Sequence, residues 1–118
     1  MIEFETIPEF NKEYERFCKK YHNFSSDFER FKLALRTSPT KLGGVVHVSK
    51  LGNSVSIPIF KAKHFRCSCM KGKGSRSGVR VIYGYIESEG KIIFTHVYYK
   101  KNDDTDFNPD RLVKYFPK

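Results

Sequence analysis

The chain has 118 residues, 39% of them hydrophobic, with eleven Phe, seven Tyr and a formal net charge of +9. That length accommodates one domain with a single core, and the aromatic content excludes a disordered chain. No run reaches the roughly 18 apolar residues of a membrane span, and Met1-Ile-Glu-Phe-Glu5 has neither the basic nor the apolar region of a signal peptide. Three cysteines are an odd set, and Cys67 and Cys69 sit too close for an easy bridge, so a reduced, cytoplasmic protein is expected.

Thr6-Ile-Pro-Glu9 reads as a helix start. Thr6 can cap, Pro8 tolerates the first turn, and Glu9 completes a capping box. Phe10, Tyr14, Phe17, Cys18 and Tyr21 then recur at helical spacing, with Lys12, Glu13, Arg16, Lys19 and Lys20 on the wet side. Ser26-Asp-Phe-Glu29 repeats the capping signal; Phe24, Phe28, Phe31 and Leu35 form a second aromatic stripe that Ser38-Pro39 stops. So short a separation predicts an antiparallel helical hairpin, its aromatic stripes serving as core.

Beyond Pro39 the period changes to two. Val45 to Val48, Ser54 to Phe60 and His64 to Met70 read as strands or fragments, with Pro58 marking an edge or a bulge. Val79 to Ile86 and Lys91 to Tyr99 are the strongest strands, joined through Glu87-Ser-Glu-Gly90 with Gly90 available for positive φ. Asn108-Pro109 opens a short final helix carrying Leu112, Tyr115 and Phe116. The expected fold, over residues 1–118, is a single α+β domain: an N-terminal helical hairpin packed on an antiparallel sheet of about four strands, with a short C-terminal helix.

Charge is distributed unevenly along this frame. Residues 1–40 carry seven basic and seven acidic side chains, and residues 81–118 carry six of each. Residues 41–80 hold nine Lys or Arg and no Asp or Glu, so the whole excess lies there. One-sided charge asks for a polyanionic partner. A membrane surface would want it on an amphipathic helix; here it lies in strands and loops, which favours nucleic acid.

Three stretches, with the order of elements, resemble the RelE/ParE superfamily of toxins. They are Lys61-Ala-Lys-His-Phe-Arg66, Ser75-Arg-Ser-Gly-Val-Arg-Val-Ile-Tyr83 and Ile92-Ile-Phe-Thr-His-Val-Tyr-Tyr-Lys-Lys101. The RelE branch implies a ribosome-dependent endonuclease that cuts mRNA in the A site, uses no cofactor, and is silenced by an acidic antitoxin. Its implied chemistry employs lysines, arginines and a tyrosine around the scissile phosphate, with the RNA 2′-hydroxyl as nucleophile. The family's strand arginine falls on Arg80 and its later arginine on Lys101, beside Lys100. Its paired lysines fall on Lys71 and Lys73 counted back from Arg80, or on Lys63 and Arg66 aligned along the strand.

Arg80 suits the phosphate role, because a guanidinium is always charged and forks onto two oxygens. A lysine acts as base only when neighbours depress its pKa, and crowding Lys71, Lys73, Arg76 and Arg80 together pushes that way. The family's tyrosine position is occupied by Phe107, which cannot donate a proton; Tyr115, His96 and Lys101 are the remaining candidates for the acid. Lys61, Lys63, Arg66, Arg76 and Lys100 are expected to bind RNA. Two other classes compete: a ParE-like toxin that poisons gyrase without catalysis, and a non-enzymatic RNA-binding module. His64, Cys67 and Cys69 supply too few ligands for a tetrahedral metal site, and core cysteines are the better reading.

Overall fold

The computed structural model describes residues 2–49, 54–63, 65–66, 78–100 and 107–118. Strand β1 (Glu3–Thr6) leads into helix α1 (Pro8–Lys20) and helix α2 (Phe24–Thr37). Strands β2 (Val45–His47), β3 (Ile59–Ala62), β4 (Val79–Ile86) and β5 (Lys91–Tyr99) follow, and helix α3 (Asp110–Tyr115) comes last. The sheet order is β1-β5-β4-β3-β2. All neighbours are antiparallel except β1 and β5, which run parallel from Glu3↔Lys91 to Thr6↔Phe94. The fold is thus α+β, with one strand more than expected and a mixed sheet.

The added strand lies where a helix cap was expected. Ile2 and Phe4 pack against the core, and the Phe4 ring stacks on Phe94 at 5.6 Å, so the segment pairs with the sheet instead of turning early. Helix α1 consequently starts from Ile7, with no side-chain cap, and Thr6 ends the strand. Helix α2 likewise begins ahead of its Ser26-Asp27 signal, because wholly buried Phe24 draws the first turn into the core. Asp27, itself buried, accepts from Arg30 rather than capping the helix.

Pro58 marks neither an edge nor a bulge. It stands just before β3, an interior strand, and its carbonyl accepts from the Tyr85 amide at 3.1 Å. Residues 54–57, expected as strand, turn to the C-terminus: Val55 bridges Pro117 and the Ser56 amide donates to the Phe116 carbonyl at 2.9 Å. A proline has no N–H to continue a ladder, so the strand can start only after it. Of the stretch from His64 to Met70, only Phe65 and Arg66 are described, and neither is in a strand. Gly90 does close the β4–β5 connection at φ 60 after a single 3₁₀ turn, Glu87–Glu89.

Two apolar layers cover the sheet. On one face the helical hairpin contributes Phe10, Phe24 and Phe28, which meet Phe65, Phe94 and Tyr83. Phe28 alone lies within ring-stacking range of Phe10, Tyr14, Phe24, Phe31, Phe65 and Phe94. On the other face Ile59 and Ile82 pack under Leu112 and Phe116 of the C-terminal segment, with Val48, Val55 and Phe107. Burying an aromatic side chain contributes about 1.5–3 kcal/mol, so both layers weigh in the fold.

An irregularity in β5 decides which side chains share a face. Val81 pairs with Val97 and Ile82 with His96, but Tyr83 pairs with Phe94, leaving Thr95 as an extra residue. Simple alternation would put His96 and Tyr98 with Ile92 and Phe94 on the helical side. The bulge reverses the parity, so Val97 joins the helical core while His96 and Tyr98 turn to the other face.

Phe28→Ala should cost about 3–5 kcal/mol through the cavity among six rings. Urea denaturation would show this as a lowered midpoint; a change below about 1 kcal/mol would mean that the hairpin does not depend on this ring.

Candidate nucleic-acid interface

The face turned away from the helical hairpin carries the basic residues in cross-strand order. In one row Lys61 of β3, Ile82 of β4 and His96 of β5 are direct neighbours. One step along, Arg80 pairs with Tyr98. Lys63, the residue after β3, is exposed, and its carbonyl accepts from Arg80 Nη1 at 3.0 Å. Lys100 follows β5, its amide donating to the Gly78 carbonyl at 2.8 Å. Gly78 adopts φ 86, where an added Cβ would lie 2.8 Å from the Tyr99 ring, so only glycine turns the chain into β4 this closely.

Arg80 is half-buried and anchored by carbonyl oxygens, with Val79 O at 3.4 Å as a second, weaker acceptor. Its Nε is buried and has no hydrogen-bond partner among the described residues. Nor do Arg80, Lys63 and Lys100 have a carboxylate within salt-bridge range among those residues. A guanidinium positioned by carbonyls and not neutralised keeps its charge for an anion, which is the geometry a phosphate needs.

Phe107 covers the first row. The Lys61 ammonium lies 5.4 Å from its ring centroid, and the His96 ring is centred 5.4 Å away. His96 is 3% exposed, so its imidazole belongs to the wall of the interface and not to its surface. Thr95 Oγ1 donates to the Ile82 carbonyl at 3.2 Å and lies 2.8 Å from His96 Nδ1. A hydroxyl has one proton; while it lies on the Ile82 carbonyl, Nδ1 is the donor to Oγ1, and the other tautomer reverses that pair.

The other expected residues divide. Lys71, Lys73, Arg76 and Lys101 lie outside the described residues, as do His64, Cys67 and Cys69. Arg66 stands on the helical side, where it lines a 330 Å³ hollow with Asp27 and Arg30 of α2. Tyr115 donates to Glu9 Oε1 at 2.5 Å, on the side of α1, which engages its only proton away from the Arg80 face. Tyr83, in the stretch that carried the resemblance, is core: its ring is wholly buried, it donates to the Pro39 carbonyl at 2.5 Å, and burial pushes its phenol well above the ordinary range.

A groove of ≈540 Å³ runs between α1 and the end of β5, lined by Glu13, Arg16, Phe17, Tyr21 and Tyr99 among others, and it shares Tyr98 with the Arg80 row. Arg80 does not line it. Of the residues on this face Lys63 is exposed and Lys61, Arg80 and Lys100 are half-buried, while Ile82 and His96 are covered. Among the described residues no cluster of His, Cys, Asp or Glu could hold a metal ion, and no helix is long and apolar enough to cross a membrane. Comparison of the sequence with protein-family models and with curated proteins finds no match.

Sequence reading did not anticipate the pairing of Glu13 with Arg111. Both Arg111 Nη atoms reach the Glu13 carboxylate, at 2.9 and 3.2 Å, across almost the whole chain. No local signal marks a pair 98 residues apart.

The phenol hydrogen bond from Tyr115 holds the Glu9 carboxyl at about 2, below the usual 4.5, and Lys114 adds to it while desolvation opposes; the Tyr115 phenol is raised in turn by Glu9. A lowered carboxyl contributes stability that is complete above 4.5 and is lost as the pH falls through about 2. The Tyr115 bond fails at the alkaline end as well, when the phenol ionises. In Tyr115→Phe, the Glu9 carboxyl should titrate nearer 4.5 in a ¹³C NMR titration; a midpoint still near 2 would show that the phenol is not its cause.

Proposed function

We propose that this protein is a RelE-type toxin of the RelE/ParE superfamily, a ribosome-dependent endonuclease that cuts mRNA in the A site and is held silent by an acidic antitoxin. The observation that carries the reading is the cross-strand array of Lys61, Lys63, Arg80 and Tyr98 on one sheet face, with Lys100 at its end. Charge-assisted contacts from this array would grip successive phosphates while Tyr98 offers a ring to a base. In the transition state Arg80 would stabilise the charge that gathers on the crowded phosphorane. Lys71, Lys73, Lys101 and His96 are the candidates for the proton transfers at the 2′-hydroxyl and the 5′-oxygen.

One observation favours a second reading, a non-enzymatic RNA-binding module. Phe107 covers His96, and Tyr115 gives its proton to Glu9, so two of the candidate acids are committed elsewhere. The antitoxin, in either reading, is an acidic segment that folds over the same basic face.

A purified translation system with a defined mRNA separates the two. Wild-type protein should produce cuts at A-site codons only when ribosomes are present, mapped by primer extension. Arg80→Ala should lower that cleavage by about a hundredfold or more, the usual effect of losing a charge-stabilising donor, while ribosome binding is largely kept. Intact mRNA with wild type would refute the endonuclease. Gyrase supercoiling would then test the ParE-like mode, and salt-dependent RNA affinity the binding module.

A further inference from the structure

We propose that Arg111 is a positioning residue for this interface: through Glu13 and the Thr95 bulge it keeps His96 and Tyr98 on the Arg80 face. The inference rests on the RNA-binding reading of that face. Thr95 is the residue with no counterpart on β4, so the ladder alone does not satisfy its backbone. Its carbonyl instead accepts from Arg111 Nη1 at 2.8 Å. Strand β1 pairs with β5 only as far as Phe94, and past that point the Val97 amide donates to Glu13 Oε1 at 3.3 Å. The same carboxylate takes both Nη groups of Arg111. One ion pair, assembled from α1 and α3, therefore closes the hydrogen bonding on both sides of His96.

Inside that frame the Thr95 hydroxyl bridges the Ile82 carbonyl and His96 Nδ1, fixing the imidazole against the Phe107 ring. Arginine is required by the geometry. Nη1 reaches Glu13 and the Thr95 carbonyl together while Nη2 takes the second carboxylate oxygen, and a lysine ammonium cannot present that planar fork. Arg111 and Glu13 are each only 21% exposed in their side chains, so water screens the pair weakly.

Imidazole ¹⁵N NMR and the affinity for a short fluorescein-labelled single-stranded RNA test this together, on the full chain. Wild type should show His96 protonated on Nδ1, and Thr95→Val should lose that signature, which calibrates the readout. Arg111→Ala should lose it too and bind the RNA about tenfold more weakly, the effect of about one lost hydrogen bond, with Arg111→Lys in between. The dependence of affinity on salt should not change, because Arg111 is not a phosphate contact. An unaltered imidazole signature in folded Arg111→Ala overturns the proposal. So does a salt slope reduced by about one, which would make Arg111 a direct RNA contact. Should Arg111→Ala fail to fold, Glu13→Gln decides, since it removes the charge of the pair but keeps its shape; an unchanged signature there is equally fatal. Wild-type protein is the separate control: if it does not bind the RNA, the RNA reading fails, while the imidazole signature still reports whether Arg111 sets His96.

Discussion

Side chains on a strand alternate between its two faces, so one additional residue exchanges the faces for everything beyond it. In this protein that residue is Thr95. Ahead of it, Ile92 and Phe94 pack under the helical hairpin; after it, Val97 takes that role and His96 and Tyr98 cross to the side of Lys61 and Arg80. The helical core and the basic face thus depend on the same irregularity. Without it, a histidine and a tyrosine would lie in the aromatic core and Val97 beside the arginine. The bulge is held from outside the ladder by groups from both ends of the chain, Glu13 and Arg111, and from inside by its own hydroxyl.

Two groups of cations contrast among the described residues. Arg30, Lys32, Lys91, Arg111 and Lys114 stand within reach of carboxylates, and each belongs to a stretch of sequence where both signs occur. Arg80 and Lys63 come from the acid-free stretch; Arg80 donates to the Lys63 backbone carbonyl, and neither side chain has a carboxylate within salt-bridge range among the described residues. A carbonyl orients a guanidinium but leaves its net charge in place, so the field of these residues extends outward to whatever polyanion approaches. That difference separates cations paired with carboxylates inside the fold from cations that no carboxylate among the described residues neutralises.

The elements that could be read from the sequence were those whose signal is local. Helical spacing of Phe10, Tyr14 and Phe17, and of Phe24, Phe28 and Phe31, locates both helices, and the long apolar runs locate β4 and β5. The start of each helix was misplaced, because capping residues are a weak preference and the burial of Ile7 and Phe24 outweighs it. Strand β1 was missed: four residues with charges at alternate positions become a strand only because β5 offers an edge beside them. The stretch at 54–57 had the period of a strand but found its partner at the C-terminus.

For the interface, the sequence by itself determined the surplus of positive charge and the stretch that carries it, since a count of side chains needs no coordinates. It also determined that Lys61, on β3, and Arg80, on β4, belong to strands of one sheet. Only the tertiary structure decided which of these residues meet. Register and the Thr95 bulge bring Lys61, Arg80, His96 and Tyr98 to one face, whereas Arg66, only five residues from Lys61, goes to the helical side. Tyr115 is withdrawn by Glu9, a contact between the first helix and the last. The physical reason is common to all of these: composition and periodicity are properties of neighbours along the chain, while a shared face depends on pairings between residues far apart in it, and a single inserted residue reverses them.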